Sequence, residues 1–313
     1  MSQKNENHNY DKHEANHGNN ACRKKRFVIV TGDKGGVGKS TFARGLFDYY
    51  IKNKLPCIGY DADTRNPQLE RHFSPKLVRC VNIFERGGAD RLLTDLEKDP
   101  FSLVLLDMPA QSGGYFAKFE SEISFFSLLD ELGYRVTMAS VLNRVVDSVN
   151  VLNVLHQYCS TRVDYVVVKN LFYSADDETR FERYNEWEGR QKLIASGAIE
   201  IVMKDLFYKT YDFVDGYSIS FSDALQHEKT SIIIKGRIKS WLAEFEKNIQ
   251  LAPEYLGLNT KPMSDKEFEF TREIMLQERE KKKEIAKIEF SEKVVIESEQ
   301  VEKKPEEHQS ACV

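Results

Sequence analysis

The middle of the chain is punctuated by short apolar runs at residues 27–31, 57–60, 103–106, 134–141, 163–168 and 199–203. Each run is continuous and partly β-branched, which is the pattern of a strand covered on both faces. Between them, residues 41–52, 116–131, 145–158 and 177–196 carry helical spacing. Strands alternating with helices predict an α/β fold, a mostly parallel, doubly wound sheet with helices on both faces. Such sheets bind ligands at the carboxyl ends of their strands, so the loops after the strands are where chemistry is expected.

A further helical stripe follows in "TSIIIKGRIKSWLAEFEKNI", where Ile234, Ile238, Trp241, Leu242, Phe245 and Ile249 share one face. That face reads as core. The two ends are different. Residues 1–24 are rich in Asn, His and Lys and have little to bury, so they read as a disordered tail; His8, His13 and His17 are more simply solvated than metal-binding. From residue 259 to 313 charge dominates again. Ser264 and Glu267 form a capping-box pattern, and Phe268, Ile274, Met275, Ile285 and Ile288 give a broken apolar stripe. The expected organisation is a tail (1–24), an α/β domain (25–258) and a charged helix and tail (259–313).

Composition narrows the function. At 313 residues and 41% hydrophobic, the chain can bury a full core. A formal charge of -4 and a pI near 6.1 argue against coating nucleic acid by bulk charge, though not against a local basic patch. The five cysteines, at 22, 57, 80, 159 and 312, form no close pairs, which suits a reducing cytoplasm. No apolar run is long enough for stable membrane insertion, and the polar N-terminus lacks the apolar stretch of a signal peptide.

The first loop of interest is "TGDKGGVGKST", residues 31–41, between the first apolar run and the first helical stretch. A glycine-rich turn entering a helix offers backbone N–H groups to an anion, and the helix dipole favours negative charge there. On this reading Gly35, Gly36, Val37, Gly38, Lys39, Ser40 and Thr41 cradle phosphates. Lys39 sits on the β- and γ-phosphates and the Ser40 hydroxyl binds Mg²⁺.

The common P-loop pattern wants glycine where this chain has Asp33 and does not ask for Lys34. With those departures, "KGGVGKS" resembles the deviant Walker A motif of the ParA/MinD class of P-loop ATPases, of the CobQ/CobB/MinD/ParA superfamily. The resemblance extends, with weaker motifs, over residues 26–251. It implies ATP and Mg²⁺ as cofactors, a homodimer when ATP is bound, slow hydrolysis and a protein partner that stimulates it. In that family the extra lysine reaches the phosphates of the partner's ATP, and Lys34 matches its position.

The second loop, "YDADTRNPQLERHF", places Asp61 and Asp63 at a strand end, where carboxylates would face Mg²⁺ and an attacking water. The family's switch I has a comparable Asp-x-Asp whose second aspartate orients that water, and Asp63 matches it. The following Thr64-Arg65-Asn66-Pro67 departs from the Pro-Gln common in the partition ATPases. The third loop, "LVLLDMPAQSGG", ends an apolar strand in Asp107, the Walker B arrangement that holds Mg²⁺ through water, and leads into a segment like switch II.

Further on, Asn170 ends a strand and is similar to the family asparagine that reads the adenine ring; a plain turn asparagine is the alternative. Lys235, Arg237 and Lys239 lie off the apolar stripe of their helix, where some partition ATPases place non-specific DNA contacts; a solvated face is the simpler reading. The expected function is therefore an ATP-driven switch that partitions DNA or positions a cellular cargo. "GAIEIVMKDL" and "SFSDAL" faintly resemble ParA-like proteins of plasmid mobilisation and conjugal transfer, which leaves a nucleotide-controlled adaptor as a second reading. A synthetase of the same fold is a third. A reductase resembling the nitrogenase iron protein is disfavoured, because Cys57 and Cys80 do not match its cluster ligands.

Overall fold

The computed structural model describes residues 25–32, 35–73, 77–98, 101–110, 112–144, 146–172 and 181–273. Among these, seven strands form one parallel sheet: β1 (Lys25–Thr31), β2 (Cys57–Asp61), β3 (Val78–Cys80), β4 (Leu103–Asp107), β5 (Tyr134–Leu142), β6 (Asp164–Asn170) and β7 (Ile199–Met203). Their order across the sheet is β3-β2-β4-β1-β5-β6-β7. The helices are α1 (Lys39–Lys52), α2 (Gln68–His72), α3 (Gly88–Lys98), α4 (Gly113–Ile123), α5 (Phe125–Glu131), α6 (Val146–Cys159), α7 (Glu182–Asn185), α8 (Glu188–Ala195), α9 (Tyr208–Tyr217), α10 (Phe221–Ala224) and α11 (Ile232–Ile249).

Each of the six apolar runs is a strand, and the expected α/β architecture is present. The physical reason is visible in β1, whose Phe27, Val28, Ile29 and Val30 are all fully buried. A strand at the centre of a covered sheet has no solvent face, so its sequence does not alternate. β1 lies between β4 and β5, with Val30 in register with Asp107 on one side and Ala139 on the other. The carboxyl ends of β2, β4 and β1 thereby meet at one edge.

Helix α1 packs Phe42, Leu46, Phe47 and Tyr50 into the core, and α11 lies alongside it. Of the stripe on α11, Ile238, Trp241, Leu242, Phe245 and Ile249 are buried. The Phe245 ring meets Phe42 at 5.6 Å, and the Trp241 indole donates to the Lys204 carbonyl at 2.8 Å. Ser231 caps α11 by accepting from the Ile234 N–H.

Two helical expectations change. The single helix over 116–131 is broken at Ser124, which takes a left-handed conformation (φ 52°). The break turns Phe125 and Phe126 together towards the core, where Phe125 packs edge-on against Phe27. The stretch over 177–196 holds two short helices, α7 and α8, with Trp187 between them in an extended conformation; its first residues, 177–180, lie outside the described residues.

Chain packing continues beyond α11. The Tyr50 hydroxyl donates to the Leu256 carbonyl at 2.5 Å, and Met263 N–H donates to the Lys54 carbonyl at 2.8 Å. The Ser264–Glu267 pair forms the reciprocal capping box, starting a helix over 265–273 whose Phe268 is buried. The tail at 1–24 and the stripe residues Ile274, Met275, Ile285 and Ile288 lie outside the described residues. Among the described residues, no helix is long and apolar enough to cross a membrane.

Candidate nucleotide site

The loop from β1 to α1 lies at the centre of the sheet's carboxyl edge. Two of its glycines are required by space. A Cβ on Gly32 would lie 2.8 Å from the Val141 carbonyl oxygen, and one on Gly38 only 2.3 Å from the Asn170 amide nitrogen. Gly38 also has a φ of 97°, a left-handed conformation that a side chain would strain. As the N-cap of α1 it supplies no side chain, and the first turn of α1 contains no acidic residue. The leading N–H groups are therefore not capped by a carboxylate or hydroxyl, which suits an anion. Asp33 and Lys34 lie outside the described residues.

Lys39 and Ser40 open α1. Lys39 is buried, its stem passing along Gly32. Ser40 and the Lys39 charge lie near enough to Asp107 to hold down the pKa of its carboxylate. Asp107, at the end of β4, is almost wholly buried, and its Oδ1 has no hydrogen-bond partner. Burial raises its pKa above the ordinary carboxylate range, and the neighbouring Asp61 adds to the effect; the Ser40 hydroxyl and Lys39 oppose both.

An orphaned buried carboxylate oxygen beside a serine hydroxyl is a fit for a hard divalent cation. Among the described residues, no group of three or more His, Cys, Asp or Glu could hold a metal ion. Mg²⁺ takes few protein oxygens and fills its shell with water and phosphate, so Ser40 and Asp107 are a sufficient protein contribution to such a site.

The structure gives Asp61 a task that sequence reading missed. It is fully buried, and its Oδ2 accepts from the N–H groups of Leu69 (2.7 Å) and Glu70 (3.1 Å), while Oδ1 accepts from Asp63 N–H (3.1 Å). The carboxylate thus caps α2 from the end of β2. Nothing local marks this, because the capped N–H groups lie eight and nine residues downstream. Burial is the main cause of a raised pKa. Asp63 is half-buried, and its Oδ1 closes a turn by accepting from Arg65 and Asn66 N–H groups. Thr41 is half-buried at the head of α1.

Asn170 reaches the loop from the end of β6, its amide donating to the Val37 carbonyl at 2.8 Å. Lys235, Arg237 and Lys239 lie on α11, away from this cluster in sequence. Arg237 and Lys239 are exposed, and the Arg237 guanidinium stacks over the Phe207 ring at 3.8 Å. Beside them in the chain, Ile232 is 82% and Ile233 67% exposed.

Fold and site together define a P-loop nucleotide-binding α/β protein: a central parallel sheet, a glycine loop entering a helix, and an orphaned aspartate at the neighbouring strand end. The family model described as the CobQ/CobB/MinD/ParA nucleotide binding domain matches residues 28–311, and the chain belongs to that family. It is similar to Protein MobD of Acidithiobacillus ferrooxidans, with 24% identity over 229 residues, 72% of this chain and 97% of that protein. Among solved structures it is similar to a Cyanothece McdA–ATP complex, with 12% identity and a TM-score of 0.45 over 77% of this chain and 99% of that one. It is also similar to the septum site-determining protein MinD with Mg-ADP from Pyrococcus horikoshii, with 12% identity and a TM-score of 0.43 over 74% and 98% of the two chains.

Proposed function

We propose that the chain is a MgATP-dependent switch that dimerises around ATP, hydrolyses it slowly and thereby times the partition of DNA or the positioning of another cellular cargo. The observation that carries this reading is the Asp107 oxygen left without a partner beside Ser40 at the mouth of the loop. Backbone N–H groups of residues 35–41 take the phosphates, and Lys39 neutralises them. Ser40 and Asp107 hold Mg²⁺, with Asp61 keeping the neighbouring turn in place. The cation, when bound, offsets the charge on the β- and γ-phosphates. Asp63 orients the attacking water, and Lys34 reaches across the dimer.

The exposed Ile232 and Ile233 beside the basic residues of α11 favour a second reading, an adaptor whose ATP state binds a protein. Equilibrium binding of labelled ATP, with and without Mg²⁺, tests the common core of both. The wild-type chain should bind, and Lys39→Ala should not, because the nest would lose its main side-chain cation. Wild-type affinity in that variant would remove the phosphate-site assignment.

A further inference from the structure

Helix α2 is five residues long, too short to hold itself in place, and it follows closely on the turn that Asp63 closes. Its head is tied to β2 by the Asp61 carboxylate. One oxygen accepts from Leu69 and Glu70 N–H, and the other accepts from Asp63 N–H, so the head of α2 and the Asp63 backbone share one anchor. Its tail is tied to α9. The Arg71 guanidinium donates from Nη2 to Asp215 Oδ1, and the same nitrogen donates to the Gln68 side chain at 2.9 Å. His72 Nε2 lies 3.5 Å from that Asp215 oxygen.

Asp215 is more than a surface carboxylate. Arg44 of α1 is fully buried, and its Nη1 stands 3.8 Å from Asp215 Oδ1 and 3.3 Å from the Tyr211 hydroxyl. The guanidinium carbon lies 5.3 Å from the centre of the Tyr211 ring and 4.9 Å from that of Phe221, while Nε and Nη2 have no hydrogen-bond partner. A buried cation with so few hydrogen bonds holds its carboxylate partner firmly, because losing the counter-charge leaves it uncompensated. An ordinary surface pair joins two side chains that are both free to swing. Here one end is fixed to the core, and the partly exposed Arg71 reaches it from α2.

We propose that Asp215 and Arg71 are positioning residues for turnover: through them α9 and the buried Arg44 fix the tail of α2, and α2 in turn fixes the turn that carries Asp63. This inference rests on the reading of Asp63 as the residue that orients the attacking water. On that reading neither side chain belongs to the phosphate site, so the pair governs the rate of the hydrolytic step and not the affinity for ATP.

The test is steady-state hydrolysis of MgATP by the full chain, with melting temperature and ATP affinity measured on the same samples. Arg71→Gln removes the charge that links α2 to Asp215 and leaves Arg44 its partner. It should melt near the wild-type temperature, because a partly exposed pair adds little stability. It should bind ATP with unchanged affinity and lower kcat by about tenfold or more, as small misplacements of a reacting group do. Arg71→Lys keeps a charge within reach of Asp215 and should restore most of kcat. Asp215→Asn should lower kcat at least as far, and adding Arg71→Gln to it should cost nothing more, because both act through one contact. If Asp215→Asn fails to fold, Arg71→Gln carries the test alone. Wild-type kcat in Arg71→Gln, or a loss of kcat matched by a loss of ATP affinity, would overturn the proposal and leave the reading of Asp63 intact. Hydrolysis at the wild-type rate in Asp63→Ala, or no hydrolysis by a wild-type chain that binds ATP, removes that reading and this inference with it.

Discussion

Asp61 and Asp107 stand side by side, in register at the ends of neighbouring strands β2 and β4, both buried. Asp61 is occupied by the N–H groups of α2, whereas Asp107 keeps one oxygen without a partner. Two adjacent buried carboxylates repel each other when both are ionised, and a bound cation or a proton on one of them relieves this. Asp107→Asn should therefore abolish the Mg²⁺ dependence of ATP binding, while the ligand-free protein melts at the same temperature or higher. Titration of ATP with and without Mg²⁺, together with melting curves, checks both parts; a variant that keeps the Mg²⁺ response would remove Asp107 from the metal site.

The role assigned to Lys34 separates binding from assembly. Lys34→Ala should bind ATP with near wild-type affinity yet fail to dimerise, because only the partner's phosphates lose a contact. Sedimentation with a slowly hydrolysed analogue measures this. Normal dimerisation would make Lys34 a bystander.

Asp63 should matter for turnover and little else. Because Ser40 and Asp107 remain to hold the metal, Asp63→Ala should bind ATP and dimerise but turn over about a hundredfold more slowly or worse, as losses of general-base or water-positioning groups do. The stalled dimer also reveals the cargo. DNA held through Lys235, Arg237 and Lys239 would be released steeply as salt rises, because those contacts displace counterions. A protein partner would be retained with little salt dependence. Hydrolysis at the wild-type rate in the variant would refute the switch I assignment.

His72 should make the protein acid-sensitive. Its Nδ1 lies 2.6 Å from the Gln68 carbonyl, which holds a proton there, while Nε2 is buried without a hydrogen-bond partner. Burial lowers its pKa to about 4 from 6.5, Arg44 and Arg71 add to the fall, and Asp215 opposes it. Above pH 6.5 the ring is neutral in both folded and unfolded chains and contributes nothing. As pH falls from 6.5 towards 4 the unfolded chain takes up the proton first, so stability is lost, by roughly 2–3 kcal/mol in all. Denaturant midpoints between pH 7 and 4 should fall less for His72→Gln than for wild type. Parallel curves for the two proteins would count against this assignment.

The sequence by itself determined the layered architecture and the place of the phosphate loop. Continuous apolar runs such as 27–31 leave no side for solvent, and four glycines before Lys39-Ser40 leave few other uses for that turn. The capping box at Ser264 and Glu267 was legible for the same reason, since all its partners lie within one helical turn. Other features only the tertiary structure decided. The three-residue β3 pairs along β2 and is too short to leave a pattern of its own. The break at Ser124, with Phe125 and Phe126 both buried beyond it, leaves no mark in the apolar pattern. Asp61 as the cap of α2 and Asn170 as a partner of Val37 join residues that no window of sequence brings together. Periodicity reports how one segment meets the core, because a side chain's burial recurs with the helix or strand repeat. Which carboxylate keeps a free oxygen, and which amide holds a loop, depends on distances between segments, and those exist only after the sheet has formed.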